Sequence, residues 1–371
     1  MSIGSRKIKR RHFLAAGAAF GGAAAAGPFF HVRPAKADKG QLVVVSWGGS
    51  WTKAMREHIF TGFERETGIK VLDDAPPNNA KVKAMVDSGN VTWDILETDM
   101  PAILSLIKDD LLEPLDYSKL DKSKVDNFPK ELRHEYAIGH KIYSFNIVYN
   151  TDTFPTGKHP KSWADVWNND KFSGKRTFNY KGGVSPQLEV ALIADGVSKD
   201  SIYPIDTERA WASFDKLRPN VSKWYGSHSE AIQLISTREA DIGCTIGPRG
   251  VTAQMEGAPV AVEYNEGKMA SDNWCVVKNT KNYDAAMAFI NYAIDAQRMA
   301  KMSQSVPYGP GNTGAFEFLS DSEAALLNTS PDNLKKQFWN NVEWWATPRG
   351  SDGKTPREYL AEEYTKWMLK G

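Results

Sequence analysis

The stretch Leu42-Val43-Val44-Val45-Ser46-Trp47-Gly48-Gly49-Ser50-Trp51 decides the fold class of this 371-residue chain. Its continuous apolar run is typical of a strand that is covered on both faces of a parallel sheet. Gly48-Gly49-Ser50 then turns the chain, and the apolar residues of 51–67 recur at helical spacing up to Gly68. A buried strand followed by an amphipathic helix indicates an α/β protein.

The same alternation continues along the chain in two series. The first has predicted strands at 69–72, 93–97, 141–145 and 147–150, and predicted helices at 81–88 and 100–108. The second has predicted strands at 175–178, 240–246, 260–264 and 273–277, and predicted helices at 186–195, 207–217, 229–236 and 283–302. Two series of domain size predict two α/β lobes, with a ligand site beyond the carboxyl ends of the strands.

The N-terminal segment has the pattern of an export signal. Residues 1–37 hold seven of the 46 basic side chains and none of the 45 acidic ones. Arg10-Arg11 precedes a weakly apolar run at 14–30, and Ala35-Lys36-Ala37 has the form of a cleavage site. The paired arginines resemble a twin-arginine (Tat) signal, although Lys9 stands where Ser or Thr is usual. We expect a signal peptide at 1–37 and a periplasmic mature chain; the alternative is a retained anchor helix.

The remaining charge and the motifs exclude several classes of function. Beyond residue 37 the chain has 39 basic and 45 acidic side chains, whereas nucleic-acid-binding surfaces are basic. The histidines show no metal-ligand spacing, and no nucleophile or nucleotide motif occurs. We therefore predict no nucleic-acid partner, no cofactor, no metal and no enzyme. An exported enzyme whose site is assembled from distant residues is the alternative.

Cysteine leaves one question open. Cys244 and Cys275 are the only two, and each lies within a predicted strand. In an oxidising compartment they form either a disulfide or two separate buried thiols.

Seven segments follow one another in a characteristic order. They are the strand leading into Trp47 and Trp51, FERETGIKV (63–71), WDIL (93–96), LLEPLD (111–116), PKSWADVW (160–167), SDNW (271–274) and AMAFINY (286–292). From about residue 41 to Glu362-Glu363-Tyr364, the chain thereby resembles the spermidine/putrescine type of periplasmic solute-binding protein.

The resemblance implies a bilobed, type II periplasmic-binding-protein-like fold, with two α/β lobes joined by a hinge. Lobe 1 is expected to comprise 38–147 and 278–315, and lobe 2 to comprise 148–277 and 316–371, with crossovers near Tyr149 and Val276. The family implies a monomer that closes on a small ligand and delivers it to a membrane ABC permease and its ATPase.

The resemblance also implies an ammonium site in the cleft. Polyamine binders of this type hold a dication between carboxylates and aromatic rings, since a desolvated ammonium needs an opposite charge or a π face. Asp272, in SDNW, matches the acid of the family and is the first candidate for the amine anchor. Asp99 follows the strand 93–97 and is either a second amine contact or the N-cap of the next helix.

Five further residues are expected to line the cleft: Trp47, Ser50, Trp51, Tyr308 and Trp345. The first three flank or belong to the turn after strand one, where Ser50 either lines the cleft or caps the helix. Tyr308 matches a segment that reaches the cleft in the family. Trp344 and Trp345 lie near the position of a ligand-capping tryptophan, and an insertion leaves open which of the two corresponds.

Two positions depart from the polyamine pattern. Residues 181–185 read KGGVS where a pair of acids is expected. Arg249 lies on the turn 243–250, which opens a helix, where the family usually has an indole. Arg249 is either a contact for an anion or a surface arginine. We therefore predict a zwitterionic amino-carboxylate ligand such as an ω-amino acid, with a polyamine (putrescine or spermidine) as the alternative.

Overall fold

The computed structural model describes residues 40–155, 157–179, 187–349 and 351–370. The predicted signal peptide and the segment 181–185 therefore lie outside the described residues. Among the helices that are described, none combines the length and the apolar character needed to cross a membrane.

Twelve strands of the described residues form one mixed sheet. They are β1 (Gln41–Val45), β2 (Lys70–Asp74), β3 (Ile95–Asp99), β4 (Leu112–Glu113), β5 (Arg133–His134), β6 (Ala137–Asn150), β7 (Arg176–Asn179), β8 (Val221–Tyr225), β9 (Ile242–Ile246), β10 (Val260–Val277), β11 (Gly309–Pro310) and β12 (Phe338–Trp339). Eight strands run in the order β2-β1-β3-β10-β6-β9-β7-β8, and the four short ones pair with β6 or β10. Parallel pairs at both ends of this order confirm the α/β class.

Two long strands, β6 and β10, join the two ends of the sheet. β10 pairs with β3 through 272–276, and β6 pairs with β9 through 145–149. The sequence predicted two strands in place of each, which was wrong. In β6 the apparent break is Asn146, which is fully buried and donates from Nδ2 to Gln337 Oε1 at 3.3 Å. A satisfied buried amide does not interrupt a strand, although it interrupts the apolar pattern.

Sixteen α-helices of the described residues cover the sheet. They are α1 (Gly49–Met55), α2 (Thr61–Thr67), α3 (Asn79–Asp87), α4 (Met100–Lys108), α5 (Lys122–Val125), α6 (Trp163–Trp167), α7 (Leu188–Ala194), α8 (Thr207–Leu217), α9 (His228–Ser236), α10 (Gly247–Met255), α11 (Tyr283–Ala293), α12 (Ala296–Ser305), α13 (Asp321–Ala325), α14 (Pro331–Lys336), α15 (Val342–Ala346) and α16 (Pro356–Leu369). Short 3-10 turns occur at Tyr117–Lys119, Lys130–Leu132, Lys199–Ser201, Arg218–Asn220 and Thr313–Phe318.

Two of the predicted helices differ in detail. The helix expected over 51–67 contains a π-helical turn, Arg56–Phe60, between α1 and α2, and ends at Gly68 in the left-handed conformation. The helix expected over 283–302 is divided into α11 and α12. The first ends with Ile294 as its C-cap, and Asp295 is the N-cap of the second, because its side chain accepts a hydrogen bond from the amide of Arg298 at 3.2 Å.

The two cysteines are free, buried thiols in separate apolar clusters. Cys244 lies on β9 and Cys275 on β10, and β6 lies between these two strands in the sheet. Of the two arrangements that the sequence left open, the structure therefore has the separate thiols. Burial raises the pKa of both thiols well above the ordinary value, so they stay protonated.

The sheet brings three charged side chains next to one another. In the antiparallel pairing, Asp272 on β10 lies opposite Asp99 on β3 and opposite Lys141 on β6. Directly opposite residues project to the same face of a sheet. The register of these three strands therefore assembles a cluster from residues that are distant in sequence.

Candidate functional site

A cavity of about 510 Å³ lies beside this charged cluster. Its walls come from the β1–α1 turn, from β3, β6 and β10, from α9 and α10, and from the segment after α12. Seven of the eight residues selected from the sequence line it: Trp47, Ser50, Trp51, Asp99, Arg249, Asp272 and Tyr308. The fold thus brings together residues up to 261 positions apart in the chain.

One end of the cavity carries the carboxylates of Asp99 and Asp272, which are 3% and 4% exposed. The carboxylate of Asp272 is paired with a lysine of the chain itself, since Lys141 Nζ lies 2.7 Å from Asp272 Oδ2. The same Nζ lies 2.7 Å from Glu97 Oε1. The sequence analysis did not predict Lys141 or Glu97 as site residues. A lysine within the otherwise mostly apolar stretch IGHKIYSF could have indicated a buried charge with a partner.

Lys141 is enclosed by aromatic rings as well as carboxylates. Its Nζ lies 4.3 Å from the ring centroid of Trp51 and 5.2 Å from that of Tyr308. Trp51 is held in place because its Nε1 donates a hydrogen bond to Glu97 Oε2 at 3.0 Å. The ammonium group of Lys141 therefore has the surroundings that a desolvated cation requires.

The buried charges shift one another's protonation. Burial, together with the charges of Glu97 and Asp99, raises the pKa of Asp272, and Lys141 opposes this rise. Against the effect of burial, the charge of Lys141 and the neighbouring imidazole of His140 lower the pKa of Glu97. Burial alone would lower the pKa of Lys141, but Asp272 and Glu97 raise it, so Lys141 stays positively charged.

Asp99 has two partners in the chain. Its Oδ1 accepts the amide hydrogen of Ala102 at 2.8 Å, which makes Asp99 the N-cap of α4. The same oxygen lies 3.2 Å from Nη1 of Arg357, in the first turn of α16. Of the two roles that the sequence left open for Asp99, the capping role is present in the structure, and Asp99 lines the cavity as well.

The other end of the cavity carries the positive charge of Arg249, and Glu256, which follows the same helix, also lines the cavity. Arg249 lies in the first turn of α10, and its Nη1 donates to Ser229 Oγ, in the first turn of α9, at 3.0 Å. The N-cap of α10, Ile246, provides no side-chain hydrogen bond to the first amides of the helix. The positive end of a helix dipole and a guanidinium together suit an anion.

His228 adds a neutral polar group beside Arg249. Burial and the positive charge of Arg249 lower the pKa of His228 to about 3, so its imidazole is uncharged at neutral pH. Its Nδ1 lies 2.9 Å from Thr245 Oγ1.

The wall between the two ends is mostly apolar and aromatic. Besides Trp51 and Tyr308 it includes Tyr143, Phe145, Ile232, Ile246 and the half-exposed Trp47. Ser50 also lines the cavity, but it does not cap α1, whose N-cap is Gly48. Such a wall suits a short methylene chain between two polar ends.

Trp345 lies apart from this cavity. It is 1% exposed, and its Nε1 donates to Glu189 Oε1 at 2.8 Å. Glu189 is also paired with Lys268, at 3.0 Å. Trp344 packs edge-on against Trp345 and, like it, is not among the residues that line the cavity. In the described part of the chain, no cluster of His, Cys, Asp and Glu suits a metal ion.

A comparison with known protein families agrees with this arrangement. Residues 59–335 match the model of the bacterial extracellular solute-binding proteins. The chain belongs to this family. Solute-binding proteins of this kind are the substrate-binding components of ABC importers, and the mixed sheet and helices are those of a periplasmic-binding-protein fold of type II.

Three members of known name or structure are similar to this solute-binding protein. It is 32% identical to the gamma-aminobutyric acid-binding protein of Pseudomonas aeruginosa, over 84% of this chain and 88% of that protein. It is 26% identical to the spermidine/putrescine-binding periplasmic protein 1 of Haemophilus influenzae, over 79% of this chain and 82% of that protein. The solved structure of a GABA receptor is 33% identical, has a TM-score of 0.79 and covers 89% of this chain and 98% of its own.

Proposed function

We propose that this protein captures a zwitterionic ω-amino acid, such as 4-aminobutyrate (GABA), in the periplasm. It delivers the ligand unchanged to a membrane ABC permease and its ATPase. The observation that carries the proposal is the polarity of the cavity, which has carboxylates at one end, Arg249 at the other and an apolar wall between them. The similarity to a gamma-aminobutyric acid-binding protein supports the same ligand class.

The ammonium group of the ligand is assigned to the end formed by Asp99 and Asp272. These carboxylates belong to opposite residues on β3 and β10. Each already has one cationic partner from the chain, Arg357 for Asp99 and Lys141 for Asp272. A ligand ammonium between the two acids completes their hydrogen bonding as a charge-assisted contact.

The carboxylate group of the ligand is assigned to the end formed by Arg249 and the first turn of α10. The guanidinium provides a planar donor pair, and the uncapped amides of the helix add partial positive charge. Trp47, Ser50, Trp51 and Tyr308 line the cavity between the two ends and are proposed as contacts of the methylene chain.

A polyamine is the second candidate, and one residue favours it. Glu256, at the end of α10, lines the cavity on the same helix as Arg249 and offers a carboxylate to a second ammonium. The 26% identity to a spermidine/putrescine-binding protein points the same way. Arg249 argues against this ligand, because a guanidinium repels a dication.

Calorimetric titration of the purified protein with 4-aminobutyrate and with putrescine tests the proposal. Replacing Arg249 by Ala is expected to weaken 4-aminobutyrate binding by about 30-fold or more, since one partner of a desolvated charge pair contributes about 2 to 5 kcal/mol. The control is Arg133→Ala, which removes an exposed arginine of β5 outside the cavity. Tight putrescine binding that survives Arg249→Ala would identify a polyamine receptor instead.

The proposal also covers the export and the oligomeric state of the protein. Residues 1–37 are proposed as a twin-arginine signal peptide, removed before Asp38, and the mature protein as a monomer. An exported enzyme is the alternative of another class. Recovery of the ligand unchanged after incubation with the protein distinguishes a binding protein from that enzyme.

A further inference from the structure

The best ammonium site of the cavity is already occupied by the chain. Lys141 Nζ lies 2.7 Å from each of two carboxylates, of Asp272 and Glu97, and faces the rings of Trp51 and Tyr308. Lys141 is 4% exposed, yet it is among the residues that line the cavity. Lys268 also has a carboxylate and aromatic faces around its ammonium group, but it does not line the cavity. Lys141 has these surroundings at the cavity wall, where they are also the surroundings that a ligand ammonium requires.

We propose that Lys141 is a specificity-determining residue whose ammonium group fills the innermost amine subsite of the cavity, so that the site accepts a ligand with one amine and excludes diamines. This inference rests on the proposed function, because it specifies which amines that cavity accepts.

The charges of the cluster support a single ligand amine. When all three acids are ionised, Glu97, Asp99 and Asp272 contribute three negative charges, and Lys141 and Arg357 contribute two positive ones. Burial raises the pKa of Asp272, and a ligand ammonium beside it favours its ionised form. One negative charge is therefore left for a ligand, which matches one ammonium. A second ammonium bound within this cluster would enter a low-dielectric environment that has no further carboxylate for it, which is costly. Glu256, the other acid that lines the cavity, follows α10 and does not belong to the cluster.

The neighbouring titratable group does not change this balance. His140 stacks on Trp274, and its Nε2 lies 3.3 Å from Glu97 Oε1. Burial lowers the pKa of His140, although Glu97 opposes this shift. The imidazole is therefore uncharged at neutral pH and adds no second positive charge beside Glu97. Lys141 is therefore the group whose removal leaves the Glu97 and Asp272 carboxylates short of a cation.

The first experiment opens this subsite in the protein and offers it small amines. Lys141→Ala leaves a vacant space beside Asp272 and Glu97 that opens to the cavity. We expect n-butylammonium chloride to raise the melting temperature of Lys141→Ala by several degrees, with no comparable rise for the wild type, since a ligand of the folded state stabilises it. Sodium chloride at the same concentration controls for ionic strength.

A matched variant tests whether any buried lysine would behave in the same way. Lys268 is 1% exposed and paired with Glu189 at 3.0 Å, but it does not line the cavity. Lys268→Ala is expected to gain no stability from n-butylammonium. An equal rise in both variants, or none in Lys141→Ala, would overturn the proposal. If Lys141→Ala folds only when n-butylammonium is present, the amine dependence of refolding supports it, and failure to refold with the amine counts against it.

A second variant removes the charge of Lys141 and keeps a side chain of similar length. Lys141→Met takes one positive charge from the cluster and leaves two negative charges for a ligand. Calorimetry is expected to show putrescine binding at least about tenfold tighter than in the wild type. Unchanged or weaker putrescine binding by the folded Lys141→Met variant would contradict the role of Lys141.

The two proposals fail in different ways. A wild-type protein that does not bind 4-aminobutyrate refutes the proposed ligand, but the n-butylammonium and putrescine measurements still decide whether Lys141 fills an amine subsite. Conversely, tight 4-aminobutyrate binding with no gain of amine binding in either Lys141 variant leaves the proposed function standing and refutes the inference.

Discussion

The imidazole of His228 illustrates how one residue at the cavity links the site to stability. In an unfolded chain histidine titrates near pH 6.5, whereas in the folded protein burial and the charge of Arg249 lower the pKa of His228 to about 3. Between these two values the unfolded state binds a proton that the folded state does not. The contribution of His228 to the free energy of unfolding is therefore fully present above about pH 6.5, and it decreases as the pH is lowered from 6.5 towards 3.

Replacing His228 by Gln is expected to reduce this acid sensitivity. Between about pH 6.5 and pH 5, His228 lowers the free energy of unfolding by about 2 kcal/mol, because each pH unit in this interval corresponds to about 1.4 kcal/mol. Urea unfolding at pH 7 and pH 5 should show a decrease in the free energy of unfolding that is about 2 kcal/mol smaller in His228→Gln than in the wild type. The same decrease in both proteins would mean that His228 titrates normally in the folded state.

Individual residues differ in how far the sequence revealed them. Asp272 and Arg249 were found because each lies in a local pattern, an SDNW strand and a turn that opens a helix. Lys141 was not found, because its role depends on its register opposite Asp272, and a register between residues 131 positions apart has no local signature. Trp345 does not line the same cavity: its indole is hydrogen-bonded to Glu189, and it lines a second cavity that shares Trp47 and Asp99 with the first. The cleft contact expected of Trp345 stays a prediction.

Among the elements, α10 determines where the positive end of the cavity lies. This helix packs closely on β6 and β10 by means of two glycines. A Cβ on Gly250 would lie 2.8 Å from Val262 Cγ2 and 3.3 Å from Val148, and one on Gly247 would lie 2.3 Å from Asn146 Oδ1. Any side chain at these positions pushes the helix outward, and Arg249 with it.

Gly250→Ala is therefore expected to affect both stability and binding. Overpacking of this kind costs about 1 to 3 kcal/mol of folding free energy, and the displaced Arg249 weakens binding of the carboxylate end of the ligand. Thermal unfolding and calorimetry measure the two effects. Gly226→Ala is a suitable control, since its Cβ would meet only Glu230 Oε2 at 3.5 Å. Comparable behaviour of the two variants would show that α10 is free to shift without consequence for the site.

The order of the longer strands and helices up to α12 was largely predictable from hydrophobic period, whereas β8, the full length of β6 and β10, the short helices α5 and α6, and the helices α13 to α16 were not predicted. No hydrophobic pattern indicated β8, in which four of the five residues are partly or fully exposed and only Tyr225 is buried. The unbroken length of β6 and β10 was also missed, because polar residues within them are satisfied by distant partners. Hydrophobic periodicity does not reveal that a polar side chain is buried when its hydrogen-bonding partner is distant in sequence.

At the scale of the whole molecule, the cavity has walls from both ends of the sheet. Asp99 and Asp272 belong to the part that contains β3, and Arg249 follows β9. A ligand that contacts both walls favours the conformation in which they are close together, by its difference in affinity for the two conformations. The lobes predicted over 38–147 and 278–315, and over 148–277 and 316–371, are expected to close in this way.

Small-angle X-ray scattering is expected to record this closure. Saturating 4-aminobutyrate should reduce the radius of gyration of the wild type and leave that of Arg249→Ala unchanged, because this variant lacks the contact on one wall. A ligand that binds by calorimetry without any change in radius would indicate a rigid receptor.

The two long strands also determine when the chain can finish folding as it is synthesised. β3, at residues 95–99, needs β10 as its neighbour, and the part of β10 that pairs with it spans 272–276. Until the ribosome has passed Val277, an emerging chain therefore presents β3 as an unpaired edge, which is prone to association with other chains. A chain cut after Asn150 would keep that edge permanently. The end of the sheet that contains β3 is therefore completed only after about three quarters of the sequence has been translated.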